Sequence, residues 1–267
     1  MSDTYIYSGV EKYYSEGKSD NKGKILKILV IALSAFLVIE AIIYSVVMPC
    51  LATPKITFVG LSSVSPETIL EECGISETTS WMSFDSRSFA SLVSTYPLIA
   101  EVSVEKKFPD QIVVNVVERK PICFTLANID GKTVPIQIDK NGVIFSVGET
   151  MVPNSMPLIT GIELSTVSEG MRVSTFYRTL LEQINDIWEI NPAYFNALSE
   201  IRIIPTDFGS YELMLYPMQS QVRFLVDRTF DEKTLQYMMV ILDVIDSVEP
   251  DVVEVDMRYG TVSYKKA

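Results

Sequence analysis

Histidine is absent from the 267-residue chain. That excludes Ser-His-Asp and Cys-His catalysis and removes the commonest metal ligand and the usual acid–base group near neutral pH. Carboxylate and lysine chemistry stay open. Cysteine is scarce. Cys50, Cys73 and Cys123 lie far apart without metal-ligand spacing, and an odd count does not make a disulfide framework. Cys73 ends a helix-like run and Cys123 sits in an apolar strand, so both read as small buried hydrophobes. Cys50 does not fit a lipoprotein cleavage site, because Pro49 precedes it and the leader would be far too long. An excess of positive charge is also missing. The net charge is −12 and the pI about 4.6. Nucleic-acid binding needs a basic footprint, and there is none. Nor is there a Gly-rich phosphate loop, H-E-x-x-H, C-x-x-C or G-x-S-x-G. Asp and Glu fall mostly at helix caps and on polar faces. No catalytic, cofactor-binding or metal-binding residue is therefore assigned.

One long apolar run is present. Ile28–Met48 reads ILVIALSAFLVIEAIIYSVVM and holds a single ionisable side chain, Glu40. At about 1.5 Å per residue it spans a hydrocarbon core of about 30 Å. A signal peptide has a shorter apolar region and a small-residue cleavage site. An uncleaved single-pass anchor is expected. Lys18, Lys22, Lys24 and Lys27 precede it, whereas Lys55 alone follows closely. The positive-inside bias puts Met1–Lys27 in the cytoplasm and the remainder outside. The tail is polar and Gly/Ser/Lys-rich, which favours disorder. Glu40 is costly in lipid. It either pairs with a polar group on a partner helix or is a protonated carboxyl bonded within its own helix, for instance toward Tyr44.

Beyond the anchor the pattern is α+β. Lys55–Val59 reads as a strand ended by Gly60. Ser65-Pro66 starts a helix that Gly74 caps. A second helix starts at Asp85, with Phe84 and Phe89 spaced as a hydrophobic staple. Its apolar face is Phe89, Leu92, Val93 and Tyr96, and Pro97 stops it. A hairpin follows: Val102, Val104 and Phe108 share one face of Glu101–Phe108, and Ile112, Val114 and Val116 share one of Gln111–Glu118. The order is β-α-α-β-β. Glu118-Arg119-Lys120-Pro121 then forms a semi-rigid junction, with Glu118 and Arg119 read as an exposed ion pair.

The rest is β-rich with two helices. Cys123–Leu126, Val134–Ile138 and Val143–Phe145 are short strands, and Pro153, Pro157 and Gly161 mark an irregular link. Ser174–Ile190 is a helix with Phe176, Leu180, Leu181, Ile184, Ile187 and Trp188 as its apolar stripe. Ile201–Ile204, Tyr211–Tyr216 and Gln221–Val226 are strands. Asp231 caps a helix whose Leu235, Met238, Met239, Leu242 and Ile245 face inward. Val252–Met257 and Thr261–Lys265 are the last strands, around a turn at Tyr259-Gly260.

The stretch ITFVGLSSVSPETILEECGI, followed by SFDSRSFASLVSTYPLIAEVSVEKKFPDQIVVNVVERKP, resembles a POTRA domain. More narrowly, it is similar to that of the bacterial division family FtsQ/DivIB, on Pro97, Phe108-Pro109-Asp110, Glu118-Arg119 and Pro121. Ile138–Phe145, Pro157–Gly161, Leu198–Ile201 and Val255–Tyr259 resemble the β domain of the same family. The resemblance implies a cytoplasmic tail over 1–27, a transmembrane helix over 28–48, a POTRA-like domain over 53–121 and a β-rich partner-binding domain over 122–267. It implies a non-catalytic, cofactor-free division scaffold in the cytoplasmic membrane at the septum. FtsB/DivIC-like and FtsL-like single-pass proteins would be its partners, with other division proteins meeting the POTRA-like domain and anchor. Partner binding by strand addition at the last strand would involve Arg258, Tyr259, Thr261, Val262, Ser263 and Tyr264. On that reading Val262→Pro abolishes binding. The rivals are a POTRA-bearing transport or envelope-assembly component and an envelope enzyme with a carboxylate pair.

Overall fold

The computed structural model describes residues 21–72, 74, 79–148, 156–164, 166–207 and 209–267. Expectations for the tail before Asn21, for Cys73 and for Pro153 fall outside these residues. Two compact units can be distinguished. The first comprises the described residues up to Lys55 and those within 77–84 and 107–111. The second holds everything else.

In the first unit the helix runs unbroken from α1 (Asn21–Ile42) through a π-helical stretch (Ile43–Val47) to α2 (Met48–Leu51). It is apolar on all sides, as a membrane span requires, and it exposes nearly all of its residues. It begins earlier than the apolar run alone suggested: Asn21–Lys27, expected in the tail, are helical. Backbone bonds fasten two loops at its far end. Met82 donates to the Cys50 carbonyl at 3.0 Å, and Trp81 donates to that of Ala52 at 3.1 Å. Lys55 N–H reaches Asp110 O at 2.8 Å.

The second unit opens with all but the end residues Lys55, Lys107 and Gln111 of β1 (Lys55–Val59), α3 (Pro66–Glu72), α4 (Ser86–Val93), β2 (Ile99–Lys107) and β3 (Gln111–Glu118), in the expected order. The strands lie β1-β3-β2. Ser65 accepts from Thr68 N–H at the start of α3, and Asp85 accepts from Arg87 and Ser88 N–H at the start of α4. Gly60 has φ +96°, and a Cβ there would meet the Val116 carbonyl oxygen at 2.1 Å, so only glycine lets β1 end against β3. Phe89 and Val93 are buried as the helical spacing demands, but Leu92 is 44% exposed. Ile112, Val114 and Val116 are buried. Phe108 departs from expectation. It lies in the turn beyond β2 and is 62% exposed.

Two further sheets follow. The first is β4 (Pro121–Ile129), β5 (Lys132–Asp139) and β6 (Ile144–Val147), in that order. The second runs β12-β11-β10-β9-β8-β7 and comprises β7 (Ile159–Thr160), β8 (Leu198–Pro205), β9 (Tyr211–Pro217), β10 (Arg223–Val226), β11 (Val252–Asp256) and β12 (Ser263–Lys266). β7 emerges from the stretch read as an irregular link; two residues between Pro157 and Gly161 carry no periodicity to find. Helices α5 (Arg178–Ile190) and α6 (Glu232–Val248) complete the unit. α5 buries Leu180, Leu181, Ile184 and Ile187 as its stripe predicts. The core they join includes Ile136, Ile159, Phe195, Tyr211 and Phe224. α6 buries Leu235, Met238 and Ile245, whereas Met239, expected inside, is 46% exposed.

Pro121 begins strand β4 and pairs with Asp139, so the junction runs directly into the next strand. The reading of its charged pair is corrected: Glu118 and Arg119 are not each other's partners. Glu118 accepts from the backbone and hydroxyl groups of Ser62 and Ser63 at 2.5–2.9 Å. Burial opposes its ionisation, but the bonds from Ser62 and Ser63 outweigh that and hold its pKa at about 2. Arg119 donates through Nε to Pro97 O at 2.9 Å and through Nη1 to Asp139 at 2.6 Å, with side chains 13% and 3% exposed. Asp139 also accepts from Asn141 and Val143 N–H. The pair pins the loop before β2 to β5. Cys50 and Cys123 are buried free thiols, and burial first, then the Asp139 charge, pushes the Cys123 thiol up.

Candidate functional site

β12 is the site toward which the local sequence and topology converge. Gly260 turns the chain after β11, and β12 returns antiparallel to it, with Asp256 opposite Ser263, Val255 opposite Tyr264, Glu254 opposite Lys265 and Val252 opposite Lys266. β11 carries a bulge between Val252 and Glu254. All four residues of β12 are exposed, and among the described residues no strand pairs with its outer side. Ala267 N–H donates inward to Asp251 O at 3.0 Å. Inward and outward groups alternate along an antiparallel strand, so the Tyr264 and Lys266 backbone groups face the open side.

The six residues singled out from the sequence divide four ways. Arg258 is committed to the fold. Its guanidinium donates to Asp256 at 2.5–3.2 Å and to Glu212 at 2.7 Å, and its side chain is 22% exposed. Those two carboxylates raise the Arg258 pKa, and hydrogen bonding to Arg258 lowers that of Asp256. Tyr259 is 75% exposed, with the Arg258 guanidinium 5.1 Å from its ring centre. Thr261 and Val262 precede the strand instead of forming it. Val262→Pro would therefore leave the outward hydrogen-bonding positions intact. Ser263 and Tyr264 lie in the strand, with Tyr264 54% exposed. Lys266 is ion-paired with Glu249, which raises its pKa. Glu40 lies on the exposed surface of α1 and is far from this site in sequence.

The sequence reading missed a neighbouring surface. Tyr237, Val240, Val244 and Val248 recur at helical spacing on α6 and are 50–68% exposed. The signal was a second apolar stripe, more than one buried face requires. A hollow lined by Lys233, Thr234 and Tyr237 from α6 and by Arg258, Thr261 and Val262 from the turn lies between the start of this stripe and the segment that leads into the edge strand. Main-chain donors and acceptors next to an apolar stripe suit a polypeptide that adds as a strand. Among the described residues no group of three or more His, Cys, Asp or Glu is placed to hold a metal ion.

Residues 52–119 match the POTRA domain family of FtsQ type. The chain is 24% identical over 208 residues to the cell division protein DivIB of Bacillus anthracis, covering 77% of this chain and 71% of the relative. It is similarly 24% identical over 199 residues to DivIB of Bacillus cytotoxicus, covering 74% and 72%. Over 116 residues it is 28% identical to the cell division protein FtsQ of Anaeromyxobacter sp., covering 43% of this chain and 38% of that one. The chain thus carries an FtsQ-type POTRA domain behind an apolar helix that fits a single-pass anchor, and its relatives are cell division proteins of the FtsQ and DivIB type.

Proposed function

We propose that this protein is a non-catalytic scaffold of the division machinery, acting by strand addition at β12. The single observation that carries the mechanism is the open edge: four exposed residues in register on β11 with no strand, among the described residues, paired outside them. An edge of this kind presents a row of main-chain donors and acceptors to a partner strand. The role in cell division follows from the FtsQ-type domain and the DivIB and FtsQ relatives.

The partners on this reading are FtsB/DivIC-like and FtsL-like single-pass proteins. One strand would extend the sheet at Ser263–Lys266. Tyr259, Thr261, Val262 and Tyr264 would contact its side chains, and Arg258 would hold the turn in shape. The lysines before the anchor support a cytoplasmic N-terminus with both domains outside, and the relatives support placement at the septum, where such a scaffold would help control wall synthesis.

The test is co-purification of the full chain with the FtsB/DivIC-like protein of the same organism, comparing wild type with Tyr264→Pro. A proline on the open side removes an outward donor and spares the bonds to β11. Loss of the partner from a folded variant supports strand addition; undiminished binding overturns it. A functional N-terminal fluorescent fusion spread evenly round the cell would overturn the septal placement and favour transport or envelope assembly.

A further inference from the structure

The membrane-proximal unit contains an exposed apolar cluster that partner binding at β12 does not use. Phe108 is 62% exposed and Met82 66% exposed. The Trp81 ring stands edge-on to Phe108, with centroids 6.1 Å apart at 84°, and its indole Nε1 donates to Gln111 O at 3.0 Å. Lys55, 74% exposed, is ion-paired with Asp110 at 2.9 Å, and Lys107 precedes Phe108 on the surface. A cluster of this composition at the end of a soluble domain is costly in water. Its attachment decides what covers it. Met82 and Trp81 are bonded through their backbones to Cys50 and Ala52, at the very end of the helix.

The depth follows from the helix rise. Ile28–Met48 accounts for about 30 Å, so Met48 marks the edge of the hydrocarbon core. Cys50 lies about 3 Å further along the axis, inside a headgroup layer about 5–8 Å thick. Groups bonded to Cys50 and Ala52 share that layer. Trp is enriched there because its ring is apolar and its N–H is polar, and lysines at the same level meet lipid phosphates.

We propose that Trp81, Met82 and Phe108 form a docking surface for the lipid headgroup layer, seating the hairpin tip on the bilayer where α2 emerges. The inference rests on the helix being the span and is independent of what binds β12.

The experiment uses the full chain with Trp188→Phe, which leaves Trp81 as the sole tryptophan, in nanodiscs of phosphatidylcholine and phosphatidylglycerol. Lipids brominated near the headgroup or near the chain end act as quenchers from within, and acrylamide acts from water. The expected result is stronger quenching of Trp81 by shallow than by deep bromines and protection from acrylamide. Adding Met82→Ser and Phe108→Ser, both at exposed positions and so compatible with folding, should weaken lipid quenching and restore that by acrylamide. Acrylamide quenching without bromine quenching in disc-bound protein overturns the proposal. So does protection from both, which would mean a protein cover. A chain that does not elute with the discs overturns the anchor reading as well.

Discussion

The two edges of the six-stranded sheet are treated in opposite ways. β7 is two residues long, with Ile159 fully buried. Its neighbour Leu158 bridges to Phe124 of β4, and Phe124 N–H donates to Pro157 O at 3.1 Å. Thr160 is hydrogen-bonded to Glu200. Gly161 turns the chain away at φ +84°, where a Cβ would meet Ile203 O at 2.4 Å. β12 has twice the length, no buried residue and no outer neighbour among the described residues. Folded proteins usually blunt an edge by shortness, cover or charge. Here one edge has the first two and the other has lysines alone, Lys265 and Lys266. The contrast shows that the fold can close a sheet edge and leaves β12 open.

The largest loss is expected away from both edges, in the neighbouring β4-β5-β6 sheet. Asp139→Ala removes the carboxylate partner of the largely buried Arg119 guanidinium, which keeps only its bond to Pro97 O, and strands two backbone N–H groups. We expect a loss of about 3–5 kcal/mol in chemical denaturation, because β5 and the loop before β2 lose their joint. Next, Gly161→Val forces a branched residue into positive φ against Ile203. Backbone strain alone costs about 1–3 kcal/mol, and the melting temperature should fall accordingly. At the open side, Arg258→Gln removes the clamp on Asp256 and Glu212. Thermal unfolding should show about 1 kcal/mol or less, with weaker partner capture. Tyr264→Pro should change stability least of the four and binding most, which is the sharpest form of the contrast.

A separate effect concerns pH. The Glu118 pKa is lower in the fold than its ordinary value of 4.5, falling to about 2. Its stabilising contribution is therefore complete above the unfolded value and is lost as pH falls through that interval. Glu118→Gln should flatten the acid-side decline of the unfolding midpoint there. An unchanged slope would show that the bonds from Ser62 and Ser63 contribute little.

By itself the sequence determined the apolar span, the β-α-α-β-β order and the burial stripes of α5 and most of α6, because each is a local periodicity that one face of one element must satisfy. It also determined the turn at Tyr259-Gly260 and a strand after it. Only tertiary structure decided the rest. Arg119 turned from Glu118 to Asp139, 20 residues on, because a buried guanidinium takes whichever carboxylate the fold brings near. Phe108 has the alternation of a core residue, yet the hairpin turn carries it out beside Trp81. β7 exists because β8 and β4 hold it in place. Whether β12 is an edge depends on the order of six strands, and no residue within it encodes that order.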